Sequence, residues 1–357
     1  MRLAVLKPDH FGDLILASAA IRAVLGRHPQ AAVFVQGGNL ALARALFGPQ
    51  TDLRRADFPH LAKQPSADAA LPDFAAFDLV LCLRRDDVID EAWALDRCRD
   101  FLLPVDTFLD HQSVIDYAVA SRLVGPYDID ALHFGAALPT LAAKAAAAPR
   151  SIGLCIGSGF HANAWPLTHW IALGQLLRRA DCVISLVHGP KEQAAAGVIA
   201  RALQLPAAAV IAGGDDIAAT RARIATLDWV VASDGGAAHL CGLEAPVVSI
   251  FGPSPFRRYA PLGRWNRLLT QELDCSPCCQ WARGLINGCL TTECMVGIAP
   301  SVVLAALADT RLARADPGAC EVAAGVRLHL GVSHLDLARK RAERIDFFAP
   351  APQYETA

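Results

Sequence analysis

The chain repeats one local grammar, and it does so in two series. A short apolar run at 2–7, R-L-A-V-L-K, meets the turn P-D-H-F-G. Behind it Leu14, Ala17, Ile21, Val24 and Leu25 recur at helical spacing, and G-R-H-P ends the pattern. Further apolar runs follow, A-A-V-F-V at 31–35 and F-D-L-V-L-C-L at 77–83. Strand, helix, strand is a βαβ unit, and its crossover forces parallel pairing. A long helical region containing D-H-Q-S-V-I-D-Y-A-V-A-S-R-L-V closes the first series. The stretch from Leu138 to Arg150, L-P-T-L-A-A-K-A-A-A-A-P-R, reads as a linker. The grammar then restarts, with apolar runs near 151, 182, 208, 229 and 247 that lead into glycine-bearing loops. The predicted fold class is α/β: two doubly wound domains in series, 1–145 and 150–330, with ligands between them at strand C-terminal ends. The last stretch, within 331–357, contains L-D-L-A-R-K-R-A-E-R-I-D-F-F and is predicted to form a terminal amphipathic helix.

At 357 residues there is enough chain for two such cores. Hydrophobic residues make up 54% and charged ones 19%, which excludes a disordered chain. The net charge of -2, without a basic block, argues against a nucleic-acid partner. No apolar run reaches the roughly 18 to 20 residues of a membrane span, and the first residues lack a signal-peptide pattern. The expected location is therefore the cytoplasm, with at most peripheral membrane contact.

Three loops fall at strand-to-helix turns: P-D-H-F-G-D, G-S-G-F-H-A-N-A-W-P-L and S-D-G-G-A-A-H-L. The paired glycines of the third leave backbone N–H groups open to a phosphate. No G-x-x-x-x-G-K-[ST] occurs, and no G-x-G-x-x-G opens a helix after the first strand, so a P-loop and a nicotinamide site are not predicted. Asp13 stands at the start of a helix. Local pattern alone makes it a cap, and a carboxylate there could equally take a proton from a substrate.

These pieces together resemble glycosyltransferase family 9, the heptosyltransferase-type enzymes. The likeness runs through K-x-x-x-x-G-D-L from Lys7, the turn ending W-P-L at 157–167, and H-G-P-x-E at 188–192. It continues through S-D-G-G-x-x-H-L and P-V-V-x-I-F-G-P at 233–253, C-S-P-C at 275–278, and C-M-x-x-I-x-P at 294–300. The resemblance implies two Rossmann-like halves facing a cleft, the GT-B arrangement, with the terminal helix packing back on the first domain. It implies an inverting transfer of a sugar, a heptose above others, from a nucleotide diphosphate such as an ADP-sugar, without a catalytic metal. The acceptor is a hydroxyl of lipopolysaccharide core or of a protein.

Asp13 matches the general base of that family. Gly235 and Gly236 match the segment that binds the donor phosphates, and Asp234 and His239 line the same pocket. Glu192 matches a contact to the ribose. Lys7 matches a basic residue toward the acceptor end, and Gly12, Ser158, Asn163 and Trp165 complete the predicted ligand-binding set. Each also has a plain structural reading: strand-end lysine, first-turn carboxylate, helix start, satisfied core histidine. Asn163 departs from the family, where lysine is frequent and neutralises the leaving diphosphate; His161, Lys191 and Arg257 are candidate replacements. A drifted non-catalytic scaffold for binding or assembly, and a nucleotide-sugar epimerase, are the alternative functions.

The chain has 11 cysteines, and Cys275, Cys278, Cys279, Cys289 and Cys294 crowd into twenty residues. In a reducing compartment such crowding points to metal rather than to disulfides. Cys275 and Cys278 have knuckle spacing. A branch of the family that glycosylates autotransporter adhesins carries a four-cysteine iron site, and it implies Cys275, Cys278, Cys294 and Cys320 as ligands, with Cys289 competing for the fourth place. Iron and zinc both suit four thiolates, and such a site is structural. That branch also implies a homo-oligomer.

Overall fold

The computed structural model describes residues 1–61, 72–104, 110–278, 289, 291–308, 318–330 and 332. They divide into two compact units, 1–135 and 136–332.

The first unit holds a sheet of β1 (Leu3–Lys7), β2 (Ala32–Val35), β3 (Leu53–Arg55), β4 (Leu79–Cys82) and β5 (Phe101–Leu102). Its order is β3-β2-β1-β4-β5, and every pairing is parallel. β1 is central, and all five of its residues are buried. That is why its sequence shows no alternation: a strand covered on both faces needs apolar side chains on both. On one face Leu6, Phe34, Phe58, Phe74, Phe77 and Trp93 share a core, with Phe34 and Phe74 edge to face at 5.0 Å. The helix after β1 starts at Phe11, two residues before Asp13, and is interrupted once, at Ala17, between Phe11–Leu16 and Ser18–Arg27.

The stretch expected to be a linker is instead a helix, Leu138–Ala146. Alanine has the highest helix propensity, and Pro139 suits a first turn, whose N–H would be unpaired anyway. Leu141 and Ala145 are buried, and Lys144 donates to Ala225 O at 2.7 Å and to Glu244 O at 3.0 Å. These bonds tie the helix to the second unit, so the boundary falls at 135/136 rather than at 145–150.

The second unit holds β6 (Ser151–Cys155), β7 (Val183–His188), β8 (Val210–Ala212), β9 (Trp229–Ser233), β10 (Val247–Phe251), β11 (Arg267–Gln271), β12 (Gly318–Ala323) and β13 (Val326–Leu330). The order is β12-β13-β11-β10-β9-β6-β7-β8. It is parallel from β11 to β8, and an antiparallel hairpin, β12–β13, extends the β11 edge. The predicted terminal helix lies outside the described residues, apart from Val332. Among the described residues no helix is long and apolar enough to cross a membrane.

Candidate active site

Each unit reverses its strand order once, and each set of predicted site residues collects at that reversal. In the first unit the chain works outward from β1 to β3, then returns to β4 on the other side of β1. In the second it works outward from β6 to β8, then returns to β9 beside β6. Loops leaving the C-terminal ends of such neighbours diverge to opposite faces and leave a crevice for a ligand.

In the first unit this crevice lies between the ends of β1 and β4. The N-cap of the first helix is His10, without a side-chain cap bond, so Asp13 is not the cap that local pattern makes it; it stands in the first turn beside Gly12. Its carboxylate is half-buried and, among the described residues, makes no hydrogen bond or ion pair. Burial and the charge of Asp9 push it above the ordinary carboxylate range; Lys7, His10 and Arg84 offset this only in part. Lys7 is enclosed rather than presented to a ligand. It is 1% exposed, donates to Leu83 O at 2.8 Å, and lies 3.4 Å from Asp9 Oδ2 and 3.6 Å from Asp116 Oδ1. Burial disfavours its charge, but Asp116, Asp9 and Asp13 outweigh burial and hold it protonated. Asp9 pairs on its other side with Arg84, which also binds Asp86. For Asp9, burial raises the carboxyl, and Lys7 and Arg84 together bring it below its usual value.

The sequence reading missed Arg84 and Asp116. Arg84 had a legible signal, since L-R-R-D-D puts charge directly after a buried strand. Asp116 had a weaker one, a carboxylate among apolar residues of a predicted helix.

In the second unit the loops after β6 and β9 touch through their main chains. A Cβ on Gly235 would stand 3.1 Å from Gly159 N, 3.3 Å from Gly157 O and 3.3 Å from Ser158 Cα, so this position admits only glycine without moving the other loop. Gly236 opens the helix Gly236–Gly242, in which His239 is buried. Asp234 is buried, and its Oδ2 accepts from Asn163 Nδ2 at 2.7 Å. The same Asn163 nitrogen lies 3.1 Å from Ser254 Oγ. Where a lysine would put a charge, Asn163 therefore puts a neutral amide already engaged by Asp234. His161, Lys191 and Arg257 are all exposed. Glu192 lies on the loop after β7, and its Oε2 falls 2.9 Å from a Cβ built on Gly189 and 3.8 Å from one on Gly157. Trp165 does not line the site as expected. It is 2% exposed, donates from Nε1 to Ile298 O at 3.0 Å, and packs edge-on against Trp170 at 4.8 Å. The W-P signature anchors the loop that carries Asn163; it is core.

Burial first, then the neighbouring Cys278, Cys289 and Cys275, push the Cys294 thiol up to about 11. Cys320 is exposed on β12, opposite Leu328 of β13, and Cys279 lies outside the described residues. Among the described residues no group of three or more His, Cys, Asp or Glu side chains is placed to hold a metal ion.

Residues 119–284 match the model of glycosyltransferase family 9 (heptosyltransferase). No curated protein matches the chain. The fold is similar to that of the E. coli ADP-heptose lps heptosyltransferase II, at 16% identity and a TM-score of 0.56 over 88% of this chain and 99% of that one. It is similar to the glycosyl transferase family 9 structure from Veillonella parvula, at 14% identity and 0.61 over 88% and 97%. It is also similar to the iron-containing dodecameric glycosyltransferase TibC from enterotoxigenic E. coli, at 12% identity and 0.51 over 87% and 76%. At these identities the structural likeness is one of fold.

Proposed function

We propose that this chain, of which residues 119–284 match the family 9 model, is a heptosyltransferase-like glycosyltransferase that moves a sugar, preferentially a heptose, from an ADP-linked donor to a hydroxyl with inversion. One observation carries the reading: a half-buried Asp13 carboxylate without a partner among the described residues, at the C-terminal end of a central strand. In this reading Asp13 accepts the acceptor's hydroxyl proton while that oxygen bonds to the anomeric carbon. The bond from that carbon to the diphosphate oxygen breaks on the opposite face, and the diphosphate leaves with the electron pair. Main-chain N–H groups at Gly235 and Gly236 meet the charge that develops there, and Glu192 takes the ribose. The acceptor is a lipopolysaccharide core sugar or a protein hydroxyl, and the work is done in the cytoplasm, at the inner face of the inner membrane when the acceptor is a lipid. The similarity to the dodecameric TibC supports a homo-oligomeric assembly.

Incubation with ADP-heptose and other nucleotide sugars, against both acceptor classes, tests this. Asp13→Asn is expected to lower kcat by about 10²- to 10⁴-fold with nucleotide affinity kept. Full transfer by that variant removes Asp13 from the role of base. A non-catalytic scaffold is the second reading, favoured by the neutral Asn163 at the leaving-group position; nucleotide binding without turnover on any acceptor supports it. Sugar change without acceptor marks an epimerase.

A structural iron or zinc belongs to the same proposal, supported by the shared neighbourhood of Cys275, Cys278, Cys289 and Cys294. Elemental analysis of the purified protein should give about one metal per chain, lost in Cys289→Ser and retained in Cys320→Ser. Metal-free wild-type protein rules it out.

A further inference from the structure

The reaction above leaves Asp116 unused. It lies on the helix Gln112–Val124 and is fully buried. Two neighbours on the same face, Gln112 and Ser113, are also buried, and Ser113 Oγ donates to Leu16 O at 2.9 Å, fastening this helix to the one that carries Asp13. A carboxylate taken out of water costs several kcal/mol unless it is well paired. Asp116 is only partly compensated. Its Oδ1 accepts from Gln112 Nε2 at 3.0 Å and faces Lys7 Nζ at 3.6 Å; its Oδ2 has no hydrogen-bond partner among the described residues.

What Asp116 does is legible from Lys7. An ammonium has three N–H donors. Among the described residues, Lys7 Nζ donates one hydrogen bond, to Leu83 O, and stands at ion-pair distance from Asp9 Oδ2 and Asp116 Oδ1. These two carboxylates hold its charge, although Asp13 is also near enough to act on Lys7 electrostatically. We propose that Asp116 is a positioning residue, which holds the Lys7 ammonium against Leu83 and Asp9 and so prevents it from closing an ion pair with the Asp13 carboxylate. This rests on the reading of Asp13 as the base, because a base needs its lone pairs free.

Asp13 is faced by Lys7 from β1, Asp9 and His10 from the turn, Arg84 from the end of β4, and Asp116 from the helix Gln112–Val124. Arg84 is committed to Asp9 and Asp86, so Lys7 is the cation that the loss of one carboxylate can redirect. Burial already pushes Asp116 up to about 6, so it titrates in the range where catalysis is measured.

Carbon-13 NMR titration of carboxyl-labelled aspartate, with Asp13→Asn to assign the signal, reads Asp13 without any substrate. Asp116→Asn is expected to lower the Asp13 midpoint by about one pH unit. The acid limb of kcat/KM should move with it, and kcat should fall several-fold with KM kept. In a Lys7→Met background the same substitution should lower the Asp13 midpoint by clearly less, since only the direct field of Asp116 remains and no ammonium can swing across. An equal fall in both backgrounds means that Asp116 acts by its field alone and overturns the proposal, as does an unmoved Asp13. Should Asp116→Asn not fold, Lys7→Met/Asp116→Leu replaces the buried pair with apolar groups, a change that proteins often tolerate. Asp13 titrating a full pH unit or more lower there than in Lys7→Met alone overturns the proposal equally. Absence of turnover with every donor, alongside intact titration differences, would count against the glycosyl-transfer reading and leave the positioning role standing.

Discussion

On β13, His329 shares a 2.9 Å hydrogen bond with Thr270 Oγ1 and lies 4.4 Å from the ring of Phe256. Burial first, then the charges of Arg327 and Arg257, hold this imidazole down to about 4. The unfolded chain takes up a proton near the ordinary value of about 6.5, whereas the folded one does not until about pH 4. Stability is therefore lost as pH falls from about 6.5 toward 4, by about 2 kcal/mol after solvent screening is allowed for. His329→Gln should flatten that slope, and denaturant midpoints at pH 7.5 and 5 check it. At the same scale, Gly235→Ala puts a methyl group against three main-chain atoms of the neighbouring loop. A loss of nucleotide affinity of about tenfold or more, measured by calorimetry with the fold intact, is the expected outcome; unchanged affinity means that the two loops do not need their close approach.

The helix Leu138–Ala146 is the element that the sequence reading placed least well. Its composition looked like a linker because its anchoring needs few large side chains: one leucine, one alanine and one lysine reaching two carbonyls. Helix propensity was visible in the alanines; tertiary anchoring was not, because Lys144 finds its partners 81 and 100 residues away. Lys144→Met should destabilise the second unit by about 1–3 kcal/mol, read from its denaturation midpoint, since the carbonyl ends left behind must find water or stay unpaired. The β12–β13 hairpin was missed although V-R-L-H-L alternates as a half-buried strand should and the structure buries Val326, Leu328 and Leu330. By contrast, the buried, mostly apolar strands β1, β4, β6, β9 and β10 were legible, because burial on both faces leaves a run with almost no polar alternation.

For the molecule as a whole, strand order could not be read along the chain, and strand order is what gathers the sites. The motif loops were visible one at a time; that those after β6 and β9 become neighbours follows only from the chain's return beside β6. The motif singled out Asp13, whereas its electrostatic setting depends on Arg84 and Asp116, both more than seventy residues distant. Added ADP is expected to slow amide hydrogen exchange in loops 156–164, 189–192 and 234–237 and to leave residues 1–135 little changed. Protection confined to the first unit would move the nucleotide to the wrong sheet.

The meeting of Gly235 with the 157–159 loop has one more consequence. A ligand wall built from peptide groups looks nearly the same whatever side chains are nearby, so point changes can break it but can hardly retune it. Under the proposed reading, new donor preferences have to arise at the rim, from side chains such as Asn163 and Glu192, while the wall persists as a shared socket for a diphosphate. On that reading a family of such scaffolds exchanges one sugar for another by editing a handful of rim positions, with the machinery for holding the leaving group inherited whole.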